Sequence, residues 1–210
     1  MATDKWANPQ KMWDERFSRA EPVYGDAPND FLQAQVFRLQ PGMKVLVPGD
    51  GYGRNGIWLA TQGLQVHTVD LSPVGVERAQ KAAQAAGLRM TIELGDLSVW
   101  NWPEGEFDAV ISIFFHLLPE QRTQVHGSML RAVKPGGLVI LEAFTRAQLQ
   151  HSSGGPKQVE LLYTADMLRR DFSPAEALEL EEIERELGEG CMHRGKASVV
   201  RAVFRKHRSP

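Results

Sequence analysis

The sequence predicts an α/β fold with a doubly wound, mostly parallel sheet and an N-terminal helical cap. Strand-like apolar runs alternate with helical segments from about residue 41 to 145, the rhythm of βαβ units. The first run leads into the turn Gly49-x-Gly51-x-Gly53, and the second ends in Asp70. Because a glycine turn before a helix brings bare backbone close to a ligand, and a carboxylate after the next strand suits ribose hydroxyls, these residues indicate a nucleotide-like ligand.

The composition fits one soluble domain. The chain has 210 residues, 42% hydrophobic and 24% charged, with a formal net charge of -2. This charge balance gives no electrostatic basis for a nucleic-acid partner or a membrane surface. No apolar run approaches the ~20 residues of a membrane span, the N-terminus lacks a signal-peptide core, and Cys191 has no cysteine partner within the chain. We therefore expect a cytoplasmic monomer or homodimer.

Residues 1–40 form the predicted cap. Trp13 and Phe17 are spaced four apart on a predicted helix, and a second helix is expected over residues 31–39. Residues 22–29 read as the loop between them. The cap is rich in aromatic residues, which are Trp6, Trp13, Phe17, Tyr24, Phe31 and Phe37.

The elements of the core follow in order over residues 41–145. The strands are predicted near 44–48, 65–70, 90–94, 107–113 and 138–144, and the helices near 54–62, 73–86 and 119–133. Pro41-Gly42 and Pro135-Gly136-Gly137 mark strand starts. Ser72-Pro73 is typical of a helix N-cap followed by a proline in the first turn.

The remaining residues, 146–210, are expected to form a substrate-side loop and the last strands. Residues 146–163 are polar and irregular, which is typical of a lid or binding loop. A short helix is predicted over 166–172. Residues 175–187 are compatible with a strand or a helix, and we favour a strand followed by a turn at 188–190. The last strand is expected over 199–204.

The glycine spacing narrows the kind of nucleotide. Arg54 stands where a dinucleotide fold would have its third glycine, and no Gly-Lys-Ser/Thr sequence indicates a P-loop. Five segments instead resemble the class I S-adenosylmethionine-dependent methyltransferases, in order and in spacing: residues 45–53, 69–72, 95–97, 107–112 and 134–137. Four further segments resemble the tellurite-resistance (TehB-like) branch of that class: residues 53–56, 13–17, 24–25 and 28–31.

The resemblance implies a seven-stranded Rossmann-like sheet with S-adenosyl-L-methionine as cofactor. It also implies an in-line methyl transfer to a small acceptor, such as a tellurite- or selenite-type oxyanion, a thiol or a small metabolite. Asp70 would bind the ribose, and Leu71 and Leu97 would enclose the adenine. Asp96 would accept a hydrogen bond from the adenine amino group. The implied cofactor-binding residues are Tyr24, Asn29, Gly49, Asp50, Gly51, Gly53, Asn55, Asp70, Leu71, Ser72, Asp96, Leu97, Ser112 and Phe114.

The residues that would bind the methyl acceptor or catalyse the transfer have a weaker sequence signal. His116 reads either as a general base, since an ordinary histidine pKa suits that task, or as a packed histidine. Arg54 would bind an anionic acceptor or the cofactor carboxylate, or form an exposed salt bridge. By resemblance, His193, Arg194 and Arg201 are candidates for acceptor binding, with the first two also possible catalytic residues. No Cys/His cluster indicates a metal.

Other functions stay open from the sequence alone. They are a non-catalytic S-adenosylmethionine-binding module, a nicotinamide-dependent oxidoreductase and a methyltransferase acting on a protein. Residues 112–115 read Ser-Ile-Phe-Phe. Amino-directed nucleic-acid methyltransferases instead have Asp/Asn-Pro-Pro-Tyr after the fourth strand to hold a flipped base, so that class is disfavoured.

Overall fold

The structure, a computed structural model, describes residues 8–208. Its strands are β1 (Lys44–Pro48), β2 (Gln65–Asp70), β3 (Thr91–Leu94), β4 (Phe107–Ile113), β5 (Val133–Phe144), β6 (Ala175–Gly188) and β7 (Arg194–Lys206). Its helices are α1 (Pro9–Phe17), α2 (Asp30–Gln35), α3 (Arg54–Thr61), α4 (Pro73–Ala85), α5 (Pro119–Ala132) and α6 (Ala165–Asp171). Short 3-10 turns cover Val36–Arg38, Arg146–Gln150 and Val159–Leu161. Trp6 lies outside the described residues.

The strands form one seven-stranded sheet in the order β3-β2-β1-β4-β5-β7-β6. All neighbours from β3 to β5 run parallel, and β7 runs antiparallel to β5 and β6. The predicted α/β class with a mostly parallel, doubly wound sheet is confirmed. The strand order reverses between β1 and β4, and open α/β sheets bind ligands outside the carboxyl ends of the strands at such a point.

Two strands after β4, β5 and β7, are longer than the sequence predicted. β5 begins at Val133 rather than near 138, and β7 extends from Arg194 to Lys206. The ambiguous segment 175–187 is a strand, because it pairs with β7 along nearly its whole length, from Ala175↔Lys206 to Gly188↔Arg194. Its polar side chains lie on an edge strand that faces solvent. The sequence therefore shows neither the two-residue hydrophobic period of a strand nor the 3.6-residue period of a helix clearly.

The N-terminal cap is held against the core by polar contacts. Ser72 Oγ donates to Asp14 Oδ1 on α1, and Arg78 on α4 donates to the carbonyls of Phe17 and Arg19. The helix predicted over 31–39 is shorter, since α2 ends at Gln35 and continues as a 3-10 turn. Among residues 8–208, no helix combines the length and apolar character that crossing a membrane requires.

A buried polar network joins the cap to the end of the sheet. Glu142 on β5 is fully buried and accepts from Asn29 Nδ2 at 2.7 Å, Arg185 Nη1 at 2.8 Å and Arg201 Nε at 2.6 Å. Glu189, in the turn between β6 and β7, also accepts from Asn29 Nδ2, at 3.0 Å. Buried charges need partners of this kind, because moving each ion out of water costs roughly several kcal/mol of desolvation free energy.

Replacing Glu142 by alanine is expected to lower the free energy of unfolding by ~3–5 kcal/mol, because two arginines would lose a buried partner. Urea denaturation followed by circular dichroism measures the change. Glu77→Ala, which removes an exposed carboxylate paired with Lys81, is the matched control and should leave stability unchanged. Equal effects of the two substitutions would contradict a structural role for the buried network.

Candidate functional site

Three adjoining cavities lie at the carboxyl ends of β1, β2 and β4, beneath α1. Their volumes are about 480, 60 and 450 Å³, and we call them the large, small and outer cavities in that order. Trp13 of α1 and Phe114, just after β4, line all three. These two rings therefore stand where the three spaces meet.

Asp70 carries the polar chemistry of the large cavity. Its Oδ2 accepts from the Gly51 N–H at 2.7 Å and its Oδ1 from the Ser72 N–H at 2.8 Å. Burial raises the pKa of Asp70 to about 6 despite these bonds. Each carboxylate oxygen can accept a second donor, so the group is suited to a ligand with two neighbouring hydroxyls.

The rest of the large cavity suits a flat apolar ring. Leu71 and Leu97 both line it, and Leu97 is buried. Asp96 also lines this cavity. Its Oδ1 accepts from the Ser98 N–H at 2.9 Å and from the Ser98 hydroxyl at 2.7 Å. The cavity thus offers apolar side chains and two carboxylates, whose oxygens can accept hydrogen bonds from the amino group and ribose hydroxyls of an adenosine.

The glycine turn is tight, but two of its glycines differ in role from the sequence interpretation. All three have positive φ, from 59° to 89°. A Cβ on Gly51 would lie 2.6 Å from the Phe17 ring, and one on Gly53 would lie 3.0 Å from Ala79 of α4. The missing Cβ atoms were expected to make room for a ligand. Phe17 occupies the space beside Gly51, and packing against α4 explains Gly53.

Asp50 and Arg54 line the small cavity. Asp50 is buried and accepts from the N–H groups of Asn55, at 3.3 Å, and Gly56, at 2.9 Å. Burial raises the pKa of Asp50 to about 7. Asn55 also lines this cavity, and its Oδ1 accepts from the backbone N–H of Asn29 at 3.0 Å.

The guanidinium of Arg54 is bound by partners within the protein. Its Nη2 donates to Glu189 Oε2 at 2.7 Å, and its Nη1 donates to the carbonyls of Tyr24 and Ala27. Burial raises the pKa of Glu189, but the neighbouring His193 ring and the paired Arg54 guanidinium together outweigh burial and hold that pKa at about 2. The Arg54 charge is therefore neutralised inside the protein, as a buried rather than an exposed salt bridge.

His193 is packed between aromatic rings beside the small cavity. Its ring centroid lies 4.5 Å from Tyr24, 4.7 Å from Phe114 and 5.2 Å from Phe144. Its Nδ1 is buried and has no hydrogen-bond partner among residues 8–208, because Glu189 Oε2 is 3.9 Å away, too far for a hydrogen bond. Burial lowers the pKa of His193, so the ring is neutral at pH 7.

Tyr24 lines the same cavity. Its hydroxyl accepts from Arg16 Nη1 at 3.1 Å, and its backbone N–H donates to the hydroxyl of Tyr52 at 3.0 Å. Burial raises the pKa of Tyr24, so the phenol stays neutral. The ring therefore offers an uncharged aromatic face at this end of the site.

His116 has no free nitrogen for proton transfer. Its Nδ1–H donates to the Leu161 carbonyl at 2.7 Å, and its Nε2 accepts from the Phe144 N–H at 3.3 Å. Burial lowers the pKa of His116 to about 4. Its ring borders the large and outer cavities, but these bonds correspond to the packed histidine of the two interpretations rather than to a base.

Six of the predicted site residues line none of the three cavities. Asn29 and Arg201 are bound to Glu142, and Gly53 packs against α4. Arg194 is exposed at the start of β7. The hydroxyl of Ser72 caps α4 by accepting from the Gly75 N–H.

Ser112 is the sixth of these residues. Its hydroxyl is buried on β4 and has no hydrogen-bond partner among the described residues. The structure gives no reason for a polar group there.

The outer cavity adds residues that the sequence interpretation missed. Met12 and Arg16 come from α1, and Met192 comes from the turn before β7. Residues 152–158 supply one wall, in the polar loop that was predicted to be a lid or binding segment. Single methionines give no sequence signal, because they are equally typical of a core.

Comparison with known proteins agrees with this geometry. Residues 45–137 match a family model described as a methyltransferase domain. A probable tocopherol O-methyltransferase of Oryza sativa subsp. japonica is 31% identical over 117 residues, which are 54% of this chain and 32% of that protein. The chain thus spans about a third of the length of this curated relative.

Solved structures share the fold over nearly the whole chain. One from echinomycin biosynthesis has a TM-score of 0.75 at 21% identity, covering 100% of this chain and 93% of its own. TehB from Haemophilus influenzae has a TM-score of 0.72 at 20% identity, covering 94% and 66%. Magnesium protoporphyrin IX methyltransferase (ChlM) from Synechocystis PCC 6803 with bound SAH has a TM-score of 0.71 at 17% identity, covering 96% and 99%.

The described residues have the fold of the class I S-adenosylmethionine-dependent methyltransferases. Residues 45–137, which are somewhat under half of the chain, match the methyltransferase domain model, and this match indicates S-adenosylmethionine as the cofactor. The side chains of the large cavity fit that cofactor's adenosine.

Binding of S-adenosylhomocysteine is expected to weaken as the pH falls below about 6. Ribose hydroxyls donate to ionised Asp70, so the ligand favours the charged form and lowers the Asp70 pKa from its value of about 6 in the free protein. Titration calorimetry between about pH 5 and pH 8 measures this dependence.

The Asp70→Asn variant is the control for this experiment, since it keeps the shape of the side chain and removes the titrating group. Its binding should be weaker at pH 8 and less dependent on pH. An unchanged pH profile in this variant would show that another group titrates.

Proposed function

We propose that this protein transfers the methyl group of S-adenosylmethionine to a small organic acceptor. The observation that carries the proposal is the continuity of the site. A cavity with a buried ribose-type carboxylate, Asp70, meets a second cavity of similar size at Trp13 and Phe114. One space suits the cofactor, and the other suits the acceptor.

The bound cofactor supplies a sulfonium-linked methyl group, which an acceptor lone pair attacks in line while the C–S electron pair returns to sulfur. The chain's own residues have to align the partners and keep water out. Asp70 accepts the ribose hydroxyls, and Leu71 and Leu97 contact the adenine. Trp13, Tyr24 and Phe114 present aromatic faces near the junction, where they favour a positive charge through cation–π attraction.

A proton on the acceptor needs a base, and His193 is the group best suited to take it. The His193 ring is neutral, its Nδ1 has no hydrogen-bond partner in the described part of the chain, and the ring borders the small cavity next to Phe114. His116 is unsuitable because both of its nitrogens are bound to the backbone. Arg194 and Arg201 have no assigned part, since neither borders a cavity.

A TehB-like oxyanion methyltransferase is the second candidate, favoured by the TehB fold similarity and the Gly53-Arg-Asn-Gly56 segment. The Arg54 charge that would bind an oxyanion is already paired with Glu189. A non-catalytic binding module would have side chains filling the acceptor space, whereas the outer cavity measures about 450 Å³. We therefore favour an organic acceptor and turnover.

Titration calorimetry with S-adenosylhomocysteine tests the cofactor assignment. We expect saturable binding by the wild-type protein and at least a ~10-fold loss in Asp70→Ala, because the ribose hydroxyls would lose a charged acceptor. Asp166→Ala, on the exposed face of α6, is the matched control and should bind as the wild type does. If folded wild-type protein released or absorbed no heat on titration with S-adenosylhomocysteine, the proposed function would be contradicted.

The His193→Phe variant should lose ~10²–10⁴-fold in kcat for an acceptor that must give up a proton, because it has no base. The KM for S-adenosylmethionine should change little, since Phe keeps an aromatic ring beside Tyr24. A thiol acceptor assayed above its own pKa should be insensitive to the change. Loss of rate with that ionised acceptor too would mean that His193 acts only through packing.

A further inference from the structure

The outer cavity is large compared with a simple oxyanion. Its volume is about 450 Å³, enough for some fifteen water molecules at ~30 Å³ each. Organic ligands of the size of common metabolites and drugs occupy cavities of ~300–1,000 Å³. A tellurite or selenite ion would leave most of this space to water, which would not be excluded from the methyl group.

The apolar part of its wall suits a flat ring system. The rings of Trp13, Phe114, His116 and Phe144 border the cavity, with Phe114 and Phe144 stacked at 4.5 Å between centroids. Met12 and Met192 add flexible apolar surface. Aromatic faces and methionine sulfur pack well against planar rings, so the wall favours an aromatic or similarly flat body.

The charged part of the wall has one sign. Arg16 and Lys157 line the cavity, and no aspartate or glutamate does so within residues 8–208. The Arg16 guanidinium lies 4.7 Å from the Trp13 ring and donates to the Tyr24 hydroxyl, its only hydrogen-bond partner in the part of the chain described. Lys157 Nζ makes one long contact, 3.5 Å, to the His151 carbonyl.

Both cations therefore keep donors for a ligand. Arginine has five N–H donors and lysine has three. Arg16 is also fixed by its stacking on Trp13 and its bond to Tyr24, so it loses little freedom on binding an anion. Lys157 is on the loop across the cavity, where it adds attraction without a fixed geometry.

We propose that the acceptor is a flat organic anion, with an aromatic body against Trp13, Phe114 and Phe144 and an anionic group, such as a carboxylate, bound by Arg16 and Lys157. This inference rests on the proposed function, because it takes the outer cavity as the acceptor site. It excludes bare chalcogen oxyanions and cationic amines as preferred acceptors.

The test uses 1-naphthoate, its neutral isostere 1-naphthamide, and selenite, each titrated into the full chain with and without saturating S-adenosylhomocysteine. We expect naphthoate to bind ~10-fold or more tightly than naphthamide, as a charge-assisted hydrogen bond predicts, and selenite to bind more weakly still. Arg16→Gln should remove this preference, and Lys157→Met should reduce it. Both variants should still bind naphthamide and S-adenosylhomocysteine.

Lys81→Met is the matched control, because it makes the same change of charge on the exposed face of α4. It should leave naphthoate binding unchanged. Equal affinities for naphthoate and naphthamide, absent naphthoate binding, or tighter selenite binding would each overturn the inference while leaving the cofactor assignment intact. Absence of S-adenosylhomocysteine binding in the same titrations would instead overturn the proposed function.

Discussion

The buried ion pair between Arg54 and Glu189 sets the arrangement of the site. Arg54 begins the helix after the glycine turn, and Glu189 lies at the tip of the β6–β7 hairpin, so their 2.7 Å contact joins two parts of the chain far apart in sequence. The pair holds the guanidinium against the hairpin tip, and both Arg54 and His193 line the small cavity. Because both side chains are almost fully buried, the contact resists screening by salt.

The same pair belongs to a balanced set of charges. Arg54, Arg185 and Arg201 face two buried carboxylates, Glu142 and Glu189, and one exposed carboxylate, Asp30, so three cations meet three carboxylates. The cations left for a ligand are then those outside this set. This separation explains how the protein holds several arginines near one site without repelling the sulfonium of its cofactor.

The sequence predicted the parallel part of the sheet almost residue by residue, because buried parallel strands read as short apolar runs bounded by glycine and proline. Asp70 and Leu97, predicted to bind the cofactor, both line the large cavity, since both lie at strand ends on the same edge of the sheet. Asn29 and Arg201 line none of the three cavities and bind Glu142 instead, because a polar residue that binds a ligand and one that satisfies a buried carboxylate look identical in sequence. The roles of Arg16 and Met192 depend on contacts between distant segments, which have no local pattern.

Phe114 is the one non-glycine residue with positive φ among residues 8–208, at 51°. The Phe114 N–H donates to the backbone carbonyl of Glu142 at 2.7 Å. Glu142 therefore binds the strained backbone through its main chain and two arginines through its side chain. Such a conformation costs ~1–3 kcal/mol, which a glycine would recover. Glycine would also remove the ring that stands between the large cavity and the proposed acceptor space, which would let solvent reach the methyl group of the cofactor. A change of Phe114 to glycine would therefore favour the stability of the fold and at the same time impair the exclusion of water from the site.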